Sequence, residues 1–172
     1  TFTIAAGLEN KLINPNTIFS NLENSLTCDK YTISEHDKLP KKLNTEQILI
    51  RSSNIGAVRI AKKVGVEKYK TFLNSLDLLN VINFDLDEIG TPLPFKWGKC
   101  KLATTSYGHG ITTTPLQLAR AYAILGNGGY KIEPSLLQKK TISTQKKEQI
   151  ISEKTSNEIN LMLRKVVSLN EG

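Results

Sequence analysis

Residues 106–129 read SYGHGITTTPLQLARAYAILGNGG, and the order of residue types in this stretch sets the fold. Thr114, Pro115 and Gln117 fall in the positions of a helix start. They supply a hydroxyl N-cap, a proline at N1 where its missing N–H costs nothing, and a capping-box glutamine at N3. A helix is predicted from this cap to about Leu125, closed by Gly126 and by the turn Asn127-Gly128-Gly129. Ahead of it, Tyr107-Gly108-His109-Gly110 forms a glycine-flexed loop entering a helix N-terminus, a geometry able to receive an anion. The spacing is not that of a phosphate-binding fingerprint. The two glycines therefore read as tight backbone packing, and a lone His109 as a structural or surface residue.

Outward from this stretch the chain stays helical. Asn44 and Gln47 form another capping box, and the helix through Ile48 and Leu49 runs to Ser52-Ser53-Asn54. A second helix begins at once with Ile55, Val58, Ala61 and Val64 inward and stops at Gly65, while Tyr69, Phe72, Leu73 and Leu76 keep helical spacing through a third. A polar loop then runs to Trp97. At the start, Phe2, Ala5, Leu8 and Leu12 share one face of a helix ended by Pro15. Ile18, Phe19, Tyr31 and Ile33 alternate with polar residues in short extended segments. Beyond Gly129 come a short extended stretch at Tyr130 to Ile132, a basic connector, and a last helix capped by Ser152 with Ile159, Met162, Leu163 and Val166 on one face. The expected fold class is mainly α with a few short strands, without repeats or βαβ order.

A chain of 172 residues with 39% hydrophobic content has the size of one domain. No stretch approaches the roughly 18 consecutive apolar residues of a membrane span, and the opening residues lack signal-peptide order. Any membrane anchor is thus expected outside this chain, which opens at Thr1 and reads as a segment of something longer. The net charge of +7 is dispersed, as on a solvated surface. A basic helical nucleic-acid binder would need its cations on one face, so no nucleic-acid partner is expected. Cys28 and Cys100 form neither a CxxC pair nor a disulfide-dense scaffold, and they leave the redox compartment open. Cys28 with His36 and Cys100 with His109 match no zinc-ligand spacing, so neither metal nor cofactor is expected.

Ser52-Ser53-Asn54 sits where two helices meet, a place that holds side chains on rigid backbone. A serine hydroxyl there can relay a proton between a leaving amine and a lysine, and a carboxamide offers a donor and an acceptor to a peptide substrate. Serine and asparagine are also common caps, and Ser168-Leu169-Asn170 repeats the bare S-x-N pattern.

Ile50 to Gly56, then Pro94 and Trp97, then the 106–129 stretch, together resemble class B penicillin-binding proteins, and the long stretch is the specific part. TFTIAAGLEN at the start resembles the helix that follows that family's nucleophile motif, and ISEKTSNEINLMLRKVV resembles the helix before its third motif. SYGHG with Trp97 ahead of it is closer to the septal, cell-division branch than to the elongation branch. The family uses S-x-x-K, S-x-N and K-T-G. Only the middle motif is in register here, so residues 1–172 read as a partial transpeptidase domain, the helical lobe between the outer motifs with most of the central antiparallel sheet absent. Ser143-Thr144-Gln145-Lys146 matches S-x-x-K but follows S-x-N instead of preceding it, and Lys154-Thr155-Ser156 lacks the glycine of K-T-G and falls on a helix.

The resemblance implies a serine-type D,D-transpeptidase that cross-links peptidoglycan stem peptides and binds β-lactams. Ser52 is then the proton relay, Asn54 orients the donor amide, and His109 with Gly110 contacts substrate. It implies cell-division partners and a place on the periplasmic side of the inner membrane. The alternative is a catalytically silent peptidoglycan- or divisome-binding module on the same fold. Taken by itself, the segment is expected not to be acylated by penicillin, and to self-associate through apolar faces of its first and last helices.

Overall fold

The computed structural model describes residues 1–86, 90–137 and 148–169. The Ser143 to Lys146 stretch lies outside them. Among the described residues the helices are α1 (Phe2–Glu9), α2 (Thr45–Ile50), α3 (Asn54–Val64), α4 (Val66–Ser75), α5 (Lys101–Ser106), α6 (Pro115–Gly126) and α7 (Glu153–Ser168). The strands are β1 (Ile18–Phe19), β2 (Ser25–Cys28), β3 (Tyr31–Ser34) and β4 (Leu43–Asn44). They make two antiparallel pairs, β1 with β4 and the β2–β3 hairpin, the latter in register from Ser25 opposite Ser34 to Cys28 opposite Tyr31.

Helix α1 lies at the centre, packed on α3, α4 and α7, while α3 also carries α5 and α7 also carries α2 and α6. The core is built from Ala5, Ala6, Val58, Ile60, Leu76, Ile124 and Ile159, each with essentially no exposed surface. Gly56 allows α3 to close on α2, because a Cβ there would stand 2.6 Å from Ile48 Cγ1.

Both capping boxes form. Asn44 and Gln47 exchange side-chain-to-backbone bonds at α2, and Thr114 and Gln117 do so at α6 with Pro115 at N1. Gln117 is buried and its Nε2 also donates to the carbonyls of Asp77 and Asn80, so the cap of α6 holds the end of α4 as well. Arg120, one turn on, is buried and donates to Asp77 Oδ2 at 2.5 Å, Glu133 Oε1 at 2.9 Å and Ile132 O at 2.5 Å.

Two expectations are corrected. Helix α1 ends at Glu9 instead of Pro15: Lys11 takes φ 55°, and the N–H groups of Lys11 and Leu12 fold back to Leu8 O and Gly7 O in a Schellman closure. Thr3 to Leu8 are all buried, so α1 offers no apolar outer face, whereas α7 exposes Leu161 and Val167. The short extended stretch at Tyr130 pairs with Gln149 in an isolated antiparallel bridge, with the Lys131 N–H donating to Glu148 O at 2.8 Å. Helix α5 had no sequence signal, since Thr104, Thr105 and Ser106 are weak helix formers whose hydroxyls bond the preceding turn. Thr105 Oγ1 reaches Lys101 O at 2.7 Å and Ser106 Oγ reaches Ala103 O at 2.6 Å.

Candidate active site

The end of α2 and the start of α3 share three residues. Ser52 occupies φ 51°, and the N–H groups of Ser52 and Ser53 return to Leu49 O and Ile48 O, a Schellman closure with serine where glycine is usual. Ser53, the next residue, is already the N-cap of α3 and accepts the Gly56 N–H on its hydroxyl at 2.9 Å. No linker separates the helices. Ser52 projects exposed, with no side-chain hydrogen bond among the described residues, while Ser53 is buried and Asn54 half-buried.

The β2–β3 hairpin supplies the second half of the site. Glu35, just past β3, places its carboxylate against the first turn of α3, accepting the N–H of Asn54 at 2.7 Å, the N–H of Ile55 at 3.1 Å and the Ser53 hydroxyl at 2.6 Å. An anion at a helix N-terminus satisfies orphan donors and meets the positive end of the dipole. The adjacent carbonyl of Ser34 accepts Asn54 Nδ2 at 2.9 Å. Asn54 Oδ1 is left as an available acceptor. Sequence reasoning missed Glu35, which stands well before Ser52 with β4 and α2 between them and no local spacing to link them.

His109 and Gly110 follow α5 on an exposed loop. The His109 ring stacks on Tyr107 at 6.2 Å, the backbone N–H of His109 donates to Thr104 O at 3.0 Å, and Lys101 Nζ donates to Gly110 O. Lys101 Nζ also lies 3.9 Å from the centroid of the Phe95 ring. Among the described residues no hydrogen bond or ring contact joins this loop directly to Ser52 or Asn54. The two are related through α3 packing on α5 and through the disulfide Cys28–Cys100, which ties the tip of the hairpin to the N-cap of α5. That bond uses both cysteines, and the described residues hold no cluster of three metal-ligating side chains.

The beginning of α1 adjoins the same loop. Thr3 Oγ1 donates to Ser106 O at 2.6 Å and lies 2.9 Å from the hydroxyl of Tyr69, which donates to Thr105 O at 3.3 Å. Burial pushes that phenol up to about 12, opposed by the Thr3 hydroxyl. Lys154-Thr155-Ser156 does lie on or beside α7 in structural roles: Thr155 Oγ1 donates to Glu9 Oε2 and Ser156 Oγ to Leu125 O. A groove between α6 and α7, lined by Gly126, Asn160, Leu161, Arg164 and Val167, contains none of the site residues.

A family model described as the penicillin binding protein transpeptidase domain matches residues 1–172. The chain is 31% identical over 173 residues to a probable peptidoglycan D,D-transpeptidase FtsI of Caulobacter vibrioides, covering 99% of this chain and 29% of that protein. It is 30% identical over 139 residues to stage V sporulation protein D of Bacillus subtilis, covering 73% of this chain and 22% of that one. It thus spans less than a third of the length of these relatives. Among solved structures, a peptidoglycan glycosyltransferase from Burkholderia ambifaria superposes with a TM-score of 0.87 at 25% identity, over 97% of this chain and 54% of that one. Penicillin-binding protein 3 of Mycobacterium tuberculosis, solved in complex with aztreonam, gives 0.85 at 21% identity over 96% and 40%, a likeness of fold. The small two-stranded sheets and the helical body agree with these matches, and the chain belongs to the penicillin-binding protein transpeptidase domain family.

Proposed function

We propose that the protein containing this chain is a serine-type D,D-transpeptidase that cross-links peptidoglycan stem peptides by acyl transfer and is acylated by β-lactams. The Ser52-Ser53-Asn54 junction carries this reading. Its serine hydroxyl is exposed on rigid backbone, and its carboxamide donates to Ser34 O, which leaves Oδ1 available as an acceptor. In this role Ser52 passes the proton to the leaving amine of the terminal D-Ala, and Asn54 holds the donor amide. His109 and Gly110 line the substrate's path next to the start of α1. Relatives named peptidoglycan D,D-transpeptidases support the reaction class.

The disulfide supports folding in an oxidising compartment outside the cytoplasm. The resemblance of SYGHG and Trp97 favours the septal type, with cell-division proteins as partners and an anchor in the inner membrane supplied by another segment. No described helix is long and apolar enough to cross a membrane. The test is covalent labelling of the complete gene product by a fluorescent penicillin. Labelling competed by unlabelled β-lactam is expected. A folded product that takes no label would instead fit a catalytically silent wall-binding module.

A further inference from the structure

We propose that Glu35 is a positioning residue of the acyl-transfer site, fixing Asn54 through the N-terminus of α3; the inference rests on the transpeptidase reading above. The dipeptide Ser34-Glu35 grips Asn54 twice. The Glu35 carboxylate takes its backbone N–H at 2.7 Å, and the Ser34 carbonyl takes its side-chain Nδ2 at 2.9 Å. Backbone and carboxamide are thereby registered to the same strand end, which removes the rotamer freedom an exposed asparagine has at a helix start.

The chemistry requires two anionic oxygens. Oε2 serves Asn54, while Oε1 serves both Ile55 N–H at 3.1 Å and the Ser53 hydroxyl at 2.6 Å. Ser53, held in this way, turns its oxygen to Gly56 N–H. A glutamine has one acceptor oxygen and an NH₂ that faces donors, so it must abandon either Asn54 or the Ile55 and Ser53 pair. The first turn of α3 would then shift, and with it the direction of Oδ1. Displacements of about 1 Å in positioning groups lower rates roughly 100-fold.

The molecule contains a control. Glu9 caps α7 with a carboxylate too, but through one oxygen, its Oε2 accepting Ser152 N–H at 3.0 Å, Ser152 Oγ at 2.9 Å and Thr155 Oγ1 at 2.6 Å. Helix α7 carries none of the site residues. A glutamine at position 9 could keep these bonds on its single oxygen, so the control is Glu9→Ala: Glu9→Ala and Glu35→Gln each break a carboxylate cap, and only the second touches Asn54.

The experiment measures thermal stability and the second-order rate of acylation by a fluorescent penicillin in the complete gene product. Similar losses of melting temperature are expected in both variants, with acylation slowed roughly 10- to 100-fold in Glu35→Gln alone. Glu35→Asp, which keeps both oxygens on a shorter side chain, is expected to recover part of the rate. Acylation of Glu35→Gln at the wild-type rate overturns the proposal, as does an equal slowing in Glu9→Ala, which would mean that the effect travels through the fold. Should Glu35→Gln not fold, Glu35→Asp decides: slower acylation than Glu9→Ala at matched stability supports positioning, and unchanged acylation refutes it. A wild-type protein that takes no label overturns the transpeptidase reading itself, a result distinct from any difference between variants.

Discussion

Thr3 Oγ1 donates a 2.6 Å hydrogen bond to the carbonyl oxygen of Ser106, joining the first turn of α1 to the last residue of α5. Tyr69 completes the joint from α4, and its hydroxyl is buried between them. The ordinary phenol value near 10 applies to the unfolded chain, and burial raises the folded value to about 12. The folded state therefore holds this proton more tightly. Stability from Tyr69 is complete below pH 10 and is lost as the pH rises through 12, a change on the order of 2 to 3 kcal/mol. Urea titrations of wild type and Tyr69→Phe at pH 9, 10 and 11 should show a steeper alkaline loss in the wild type. Parallel losses would contradict the assignment.

The Cys28–Cys100 disulfide closes a loop across 72 positions and anchors the hairpin that delivers Glu35. Reduction, or the double replacement by serine, should lower stability by about 2 to 4 kcal/mol, near the upper end because the loop is long. Melting curves with and without a dithiol reductant check this. A melting temperature indifferent to reductant would show that the cross-link contributes nothing.

Arg120 is a buried cation with two unequal partners. Its side chain is 3% exposed, that of Asp77 22% and that of Glu133 53%, which decides where mutation hurts. Asp77→Ala leaves the guanidinium buried without its main counter-charge and should cost about 3 kcal/mol, whereas Glu133→Ala should cost less than about 1 kcal/mol. Chemical denaturation of the two variants measures the contrast, and equal costs would count against it.

Gly129 and Gly126 should respond oppositely to alanine. Gly129 has φ +91°, and a Cβ there would meet Ile151 O at 2.0 Å, so Gly129→Ala should destabilise by at least about 3 kcal/mol. Gly126 closes α6 with open space at its Cβ position, so Gly126→Ala should be neutral or stabilising by up to about 1 kcal/mol. Melting temperatures that move together would refute the distinction.

What the sequence made legible was what adjacent residues decide. The boxes at Asn44 and Thr114, the Ser152 cap and the Gly65 stop are written within four positions of the helix ends they govern. So is the Ser52-Ser53-Asn54 junction. What stayed hidden depends on partners far along the chain. Glu35 and Glu9 look like ordinary surface carboxylates until the fold brings them to α3 and α7, and Cys28 finds Cys100 only because the hairpin lies over the start of α5. Helix α5 was hidden for the same reason: its threonines do not favour helix, and packing on α3 imposes it.

The central claim concerns the Ser52 hydroxyl, and the backbone provides a clean way to remove it. At φ 51° glycine is the favoured residue, so Ser52→Gly deletes the hydroxyl while relaxing the closure of α2. The decisive measurement is the acylation rate of the complete gene product by a fluorescent penicillin, wild type against Ser52→Gly, with melting temperatures taken in parallel. A variant at least as stable as wild type yet acylated roughly 100-fold or more slowly is the expected result. Acylation at the wild-type rate in the folded variant would contradict a proton relay through Ser52.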